Sequence, residues 1–123
     1  MSQPRLADYL SHILEAIERI QGYTRDLDEA GFEHDALIQD GVIRNIEVIG
    51  EASRRIQVNY PDFVAVHPEL PLGPAYQMRN AVAHGYFSVD LGILWSTVTS
   101  DLPALAETAA TLLASLPEAE PER

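Results

Sequence analysis

Four side chains suited to phosphate binding and proton transfer fall within eight residues of the chain: Arg79, Asn80, His84 and Tyr86. The planar guanidinium of an arginine can donate to two phosphate oxygens at once. A histidine, whose ordinary pKa is about 6.5, can accept or donate a proton near neutral pH. Asn80 can orient the imidazole of His84 or contact a phosphate, and its structural alternative is a solvent-facing position. This stretch is therefore the candidate site for chemistry on a phosphate.

The spacing of these residues limits what one copy of the chain can do alone. On a regular helix, positions 79 and 84 point about 140° apart, so both side chains cannot lie against one small substrate. Either the helix breaks at Gly85 or a second copy of the chain completes the site. In the structural alternative, Arg79 pairs with Glu47 or Glu51. His84 then only caps the C terminus of its helix, where a cation is favoured.

The rest of the sequence has no pattern typical of a metal or cofactor site. It contains no cysteine and no glycine-rich phosphate loop, and residues 26–31 begin like a calcium loop but lack its later ligands. His12, His34 and His67 have no second ligand nearby, and we expect them on the surface. We therefore expect neither a metal nor a cofactor.

Apolar residues at helical spacing predict the first two elements of the fold. An amphipathic helix begins at Leu6 and is ended by Gly31, and a second helix with a wide apolar stripe begins at about Glu33. Gly41 and Gly50 disfavour a helix by about 1 kcal/mol each relative to alanine. We expect them to allow close approach of another backbone, within the fold or in a dimer.

Four prolines between residues 60 and 74 exclude a continuous helix there and predict an ordered, stiffened crossover. Pro74 fits the first turn of a short third helix that Gly85 can close. Three apolar residues of this helix should face the core: Ala75, Met78 and Val82. The third helix therefore carries the candidate site.

A fourth helix is predicted to begin after Asp90, its N-cap, and to be kinked by Pro103. No segment has the period of a β-strand. The sequence therefore predicts an all-α fold, a four-helix bundle with a proline-rich crossover loop. We expect one domain over residues 1–116 and a disordered tail at 117–123.

The charge of the chain restricts its partners. The formal net charge is −11, but acidic and basic residues balance between positions 41 and 89, and every basic residue is an arginine. A diffuse cationic coat for DNA is absent, so we expect no DNA binding. No stretch is long and apolar enough to span a membrane, and the N terminus lacks the apolar core of a signal peptide. With no cysteine to oxidise, a cytoplasmic location is expected.

The chain resembles proteins of the HEPN superfamily of the HepT type, the toxin partners of a minimal, MntA-like nucleotidyltransferase antitoxin. The likeness rests on blocks that follow the order seen in that family: residues 44–52 (RNIEVIGEA), 67–71 (HPELP), 78–87 (MRNAVAHGYF), Trp95 and residues 101–103 (DLP). The third block matches the R-x-x-x-x-H-x-Y signature. Leu72 departs from the pattern, because a tryptophan is expected there.

The resemblance implies a toxin-like, metal-independent endoribonuclease with a composite site at the interface of a homodimer or higher oligomer. Arg79 and His84 would be catalytic, with Asn80 in support. The antitoxin would neutralise the toxin by transferring AMP to Tyr86, whose structural alternative is a half-buried aromatic residue.

A second hypothesis belongs to a different class of protein. The chain would be a non-catalytic helical subunit that binds a nucleotide or substrate for a nucleotidyltransferase. Arg79 and His84 would then only grip phosphate. The acidic ends of the chain favour this hypothesis slightly, because they predict weak RNA binding.

Overall fold

The computed structural model describes residues 5–84 and 90–117, without the side chains of residues 83 and 84. All regular elements in these ranges are helical, which confirms the all-α class. They are α1 (Leu6–Thr24), α2 (Glu29–Glu33), α3 (Ala36–Asn59), α4 (Pro61–Val66), α5 (Leu72–His84), α6 (Leu91–Ser96), a π-helical turn (Thr97–Asp101) and α7 (Leu102–Ser115).

The core is built around α1 and α3, which pack along their whole apolar stripes. Helix α7 packs on α1, and α5 packs on α3. The fully buried side chains are mostly branched aliphatic residues spaced three or four apart, including Leu10, Ile13, Ile17, Ile46, Ile49 and Leu102. Burial of one such side chain contributes about 1.5–3 kcal/mol, so these stripes hold the bundle together.

The first helix ends earlier than the sequence predicted. Helix α1 ends at Thr24, whose hydroxyl donates to the carbonyl of Ile20 at 2.8 Å. Asp28 then starts α2, because its carboxylate accepts from the N–H of Gly31 at 2.8 Å. The prediction that Gly31 ends the first helix is therefore wrong: a capping aspartate starts a new helix across it. None of the described glycines has a positive φ.

Helix α3 begins at Ala36 and not near Glu33. The carboxylate of Asp35 caps it by accepting from the N–H of Ile38 at 3.0 Å. Phe32 is fully buried beneath this junction. The boundary is thus set by a cap, which the apolar period alone does not reveal.

The crossover is ordered, as predicted, and it contains the short helix α4 with Pro61 in its first turn. Helix α5 begins at Leu72, two residues before the predicted start, and Pro74 still lies in its first turn, where no N–H is needed. Ala75 and Val82 are buried, and Met78 packs against the core, as predicted. Leu72 is also buried, so it occupies the core at the position where tryptophan was expected.

Asp90 caps α6, where the predicted fourth helix begins, and its carboxylate accepts from the N–H of Ile93 at 3.1 Å. The predicted disturbance at Pro103 takes the form of the π-helical turn before it, in which the N–H of Leu102 bonds the carbonyl of Thr97. The wider turn accommodates a proline ring that a regular helix would exclude.

The predicted cap at Gly85 and the predicted tail beyond Pro117 lie outside the described residues. None of the helices in the described part of the chain is long and apolar enough to cross a membrane.

Candidate functional site

Helices α3 and α5 cross at Gly50, directly beneath Arg79. A Cβ atom placed on Gly50 would overlap the Cβ of Arg79, would lie 2.6 Å from its Cγ and would lie 3.4 Å from the carbonyl oxygen of Ala75. The close approach predicted for Gly50 is thus confirmed, and it occurs within one chain. Gly41 differs, because the ring of Tyr23 and not a backbone lies against it, at 3.1 Å from a Cβ built there.

Arg79 is half-buried, and its guanidinium has few partners. One nitrogen, Nη1, donates to Oδ1 of Asn80 at 3.1 Å, while Nε is buried without a hydrogen-bond partner among the described residues. The carboxylate of Glu51 pairs instead with Arg55 at 3.1 Å. Neither Glu47 nor Glu51 lies within the 4.0 Å of an ion pair with Arg79. The structural alternative for Arg79 is therefore wrong.

Asn80 is half-buried and accepts the hydrogen bond from Arg79, so it is not a purely solvent-facing residue. This charge-assisted hydrogen bond restricts the orientation of the guanidinium relative to α5. Asn80 is thus placed to orient Arg79. The predicted contact of Asn80 with the imidazole of His84 lies outside the described side chains.

His84 is the last residue of α5, and the helix is regular from Leu72 up to that point. The backbone positions of Arg79 and His84 therefore lie about 140° apart around the helix axis. A break before His84 is excluded by this geometry. Tyr86 and the proposed break at Gly85 lie outside the described residues.

A polar cleft of about 660 Å³ lies between α1, α3 and α5, with Arg79 in its wall. The other residues that line it are Tyr9 and His12 from α1 and Arg44, Glu47, Val48, Glu51, Ala52 and Arg55 from α3. We name this space the polar cleft. Three of its side chains are guanidinium groups and two are carboxylates, so it suits a ligand that carries both negative charge and hydroxyl groups.

The polar cleft was not predicted from the sequence. His12 was expected on the surface, which is where the structure has it, but its place beside α3 was not expected. The signal was the spacing of Arg44, Glu47, Glu51 and Arg55 along one face of α3, at steps of three and four. Such a stripe is usually a solvated face, and only its packing beside α1 makes it a cleft.

The opposite side of α5 has a groove of about 610 Å³ against α6, the π-helical turn and α7. Its lining is mainly apolar and includes Met78, Ala81, Ile93 and Leu105, and the charged residues in the described part of the lining are Glu69 and Asp101. We name this space the apolar groove.

A backbone hydrogen bond and then a hydrogen bond from Nδ1 of His67, 3.0 Å away, lower the pKa of the Glu69 carboxyl below its ordinary value of 4.5. The carboxylate thus stays charged at neutral pH. The apolar groove is therefore unsuited to a polyanion. Among the described residues, no group of three or more histidine, aspartate or glutamate side chains could hold a metal ion.

A family profile and individual relatives place the chain in the same family. The profile of the family described as "Ribonuclease HepT-like" matches residues 13–112. A protein of Thermococcus cleftensis named "Probable ribonuclease HepT" is 45% identical over 98 residues, which cover 80% of this chain and 86% of that protein. No solved structure gives a significant match.

Two proteins of Methanocaldococcus jannaschii are also similar. One, named "Putative RNase", is 35% identical over 105 residues, which cover 85% of this chain and 94% of the relative. The other, named "Gamma-glutamylcyclotransferase and putative RNase", is 41% identical over 99 residues. This match covers 80% of the chain but only 43% of that longer protein.

Proposed function

This chain belongs to the HepT-like ribonuclease family, which confirms the resemblance in its sequence, and from that premise we propose that it is a metal-independent endoribonuclease. The observation that carries the proposal is the guanidinium of Arg79. It lies in the wall of the polar cleft, no carboxylate pairs with it, and its Nε has no partner among the described residues. Since the buried Nε is not reachable from solvent, a phosphate in the cleft would accept hydrogen bonds from the Nη nitrogens of this guanidinium.

The proposed reaction is attack of a ribose 2′-oxygen on the adjacent phosphorus. The bond between the 2′-oxygen and phosphorus forms, and the bond between phosphorus and the 5′-oxygen breaks. A base removes the proton of the 2′-hydroxyl, and an acid gives a proton to the leaving 5′-oxygen. His84 would move these protons, and Arg79 would stabilise the negative charge that builds on the phosphoryl oxygens. The products are a 2′,3′-cyclic phosphate and a 5′-hydroxyl.

A second copy of the chain would complete this site. The signature supplies one histidine per chain where the reaction uses two proton-transfer events, and positions 79 and 84 face directions about 140° apart on a regular helix. A two-fold axis beside α5 would bring two copies of Arg79 and His84 together. Sedimentation at micromolar concentration should show a homodimer or higher oligomer. A monomer with full nuclease activity would contradict the composite site.

Regulation by a nucleotidyltransferase antitoxin is part of the proposal, and the family resemblance supports it. Transfer of AMP to Tyr86 would place a bulky negative group two residues from His84 and would repel RNA. The toxin-antitoxin pair would act in the cytoplasm. Intact mass of the chain co-expressed with the antitoxin should increase in steps of one AMP.

The non-catalytic alternative is favoured by one observation, the net charge of −11, which weakens association with RNA. In that case the chain would bind a nucleotide or substrate for a partner nucleotidyltransferase. It would cut no RNA, and its expression alone would leave host growth unchanged.

Three variants separate catalysis from binding. His84→Ala should lower RNA cleavage by about 10²-fold or more and still bind RNA, because general acid-base catalysis contributes about 10²–10⁴. Arg79→Ala should weaken both binding and cleavage. Tyr86→Phe should stay active and resist modification by the antitoxin. His34→Ala is the control, since the ring of this exposed histidine, which follows α2, bonds the carbonyl of Ala30 and no other described residue.

Normal cleavage by His84→Ala would overturn the assigned role of His84. The same assay tests metal independence, because activity should persist in EDTA and the products should carry a 2′,3′-cyclic phosphate. Activity that EDTA abolishes and magnesium restores would contradict the proposed mechanism.

A further inference from the structure

The polar cleft extends well beyond the residues assigned to catalysis. Arg44 and Arg55 lie eleven residues apart on one face of α3, which corresponds to about 16 Å along the helix axis. Arg79 lies beside the middle of this face, at the crossing with Gly50. The cleft is therefore long enough for more than one phosphate of a nucleic-acid strand, and far longer than the space that one phosphate needs.

The two ends of the cleft carry available positive charge. Arg44 is exposed and forms no ion pair with any described residue. Arg55 pairs with Glu51 at 3.1 Å, and both side chains are more than half exposed. An ion pair this exposed contributes little free energy, so a phosphate can compete for the guanidinium of Arg55.

The carboxylates of Glu47 and Glu51 line the cleft between these ends, so phosphates are expected against the guanidinium groups and not beside these two carboxylates. The carboxylates do suit the hydroxyl groups of a ribose, because a carboxylate is a strong acceptor for an O–H donor. The 2′-hydroxyl is the group by which a protein distinguishes RNA from DNA. Glu47 is the better placed of the two, since Glu51 is engaged by Arg55.

The wall formed by α1 adds an aromatic surface. His12 is exposed, and its ring stands edge-on to the ring of Tyr9, with 6.3 Å between the ring centroids. Bases that are not paired in a duplex stack on the faces of aromatic and histidine side chains, and the exposed ring of His12 is such a side chain. The wall therefore favours a single strand over a duplex.

We propose that the polar cleft is a subsite for single-stranded RNA next to the scissile phosphate. Arg44 and Arg55 hold flanking phosphates, Glu47 accepts a hydrogen bond from a 2′-hydroxyl, and His12 stacks on a base. This inference rests on the proposed ribonuclease function and adds to it the residues that select RNA over DNA.

Binding tests the subsite separately from catalysis. The probe is a fluorescent twelve-nucleotide single strand, made as RNA and as DNA of the same sequence, with fluorescence anisotropy as the readout in a His84→Ala background. Arg44→Ala should weaken binding of both strands by about tenfold, because it removes a charge-assisted contact. The slope of log binding constant against log salt concentration should also become less steep by about 0.7, as expected for the loss of one phosphate contact. Glu47→Ala should bring the preference for RNA over DNA close to one.

The control is Arg19→Ala, since Arg19 is an exposed arginine of α1 that pairs with Glu15 outside the cleft. It should change either affinity by less than twofold. Cleft variants that bind both strands as tightly as the parent protein, or an Arg19→Ala effect equal to that of Arg44→Ala, would overturn the subsite. An equal preference for RNA and DNA in the parent would remove the role of Glu47.

Cleavage by the chain with His84 intact tests the proposed function independently. Arg44→Ala should slow cleavage of a twelve-nucleotide RNA by about tenfold and leave a dinucleotide substrate unaffected, because the dinucleotide is too short to reach the subsite. Equal loss on both substrates would show a general defect and would contradict the subsite. Absence of any RNA cleavage by the unaltered chain would refute the proposed ribonuclease activity. The binding measurements would then still test whether the polar cleft binds RNA.

Discussion

The two sides of α5 differ in charge although their depressions are similar in volume, about 660 Å³ towards α3 and about 610 Å³ towards α7. The polar cleft has three arginines in its wall, whereas the charged residues of the apolar groove are the acidic Glu69 and Asp101. Shape alone would leave both as candidates. The distribution of guanidinium groups identifies the polar cleft as the side where a polyanion can bind.

The same comparison holds for the backbone. On the cleft side, α5 lies so close to α3 that only glycine fits at position 50. On the groove side, the π-helical turn before Pro103 absorbs a proline and brings no arginine or histidine to the surface of the groove. The close crossing at Gly50 thus positions Arg79, whereas the π-helical turn only lets the chain stay helical up to Pro103.

The largest expected effect comes from adding a methyl group where α3 and α5 cross, on the cleft side. Gly50→Ala should lower the free energy of unfolding by about 2 kcal/mol or more, because overpacking outweighs the gain of about 1 kcal/mol in helix propensity. Urea unfolding at neutral pH measures it. The variant should also lose RNA cleavage, since α5 must move to accommodate the new methyl group.

Gly22→Ala is the matched control for this substitution. Gly22 also lies in a helix, and a Cβ atom there would meet nothing within 4 Å. This change should raise the free energy of unfolding by about 0.5–1 kcal/mol. If Gly50→Ala were stabilising as well, the close approach of α3 and α5 would not be the constraint described above.

A smaller effect is expected from two polar side chains of α5, one bonded to Arg79 and one in the apolar groove. Asn80→Ala removes the acceptor 3.1 Å from Nη1 of Arg79 and should lower RNA cleavage by about tenfold, equivalent to one charged hydrogen bond. Gln77→Ala, in the apolar groove, should stay within twofold of the unaltered chain. Equal losses for the two variants would mean that the hydrogen bond between Arg79 and Asn80 does not contribute to cleavage.

The smallest expected effect lies in the apolar groove and concerns pH. The pKa of Glu69 is lowered in the folded chain, so its charged form stabilises the fold above the ordinary value of 4.5, and this contribution is lost as the pH falls through the lower, folded value. The melting temperature of Glu69→Gln should therefore lie slightly below that of the unaltered chain at pH 6, and the difference should shrink as the pH falls below the ordinary value. RNA cleavage at pH 7 should not change. A difference that grows towards acid pH would contradict the lowered pKa.

Much of the fold could be predicted, because the spacing of apolar residues and the positions of glycines depend on local packing. The stripes of α1 and α3, the N-cap at Asp90 and the close approach at Gly50 all follow from the sequence. The end of α1 at Thr24 did not, because it depends on a hydroxyl bond within the helix and on a new cap at Asp28, whereas Gly31 looked like the stronger stop signal.

The candidate site was predictable only in part. Arg79 and Asn80 were identified from residue type and spacing, but their hydrogen bond and the unpaired Nε depend on how α5 crosses α3. The contribution of Arg44 and His12 was not predictable, because they come from different helices and meet only through tertiary packing. The roles of His84 and Tyr86 stay predictions.

The central claim is that two copies of this chain form one ribonuclease site, and a mixed dimer tests it most directly. An unaltered chain and a His84→Ala chain, each with a different tag, are co-expressed, and the dimer that carries both tags is isolated. The mixed dimer should be nearly as inactive as the His84→Ala homodimer, because its shared site has one His84 where the reaction uses two. A mixed dimer with half the activity of the unaltered dimer would mean that each chain acts alone, and the composite site would be refuted.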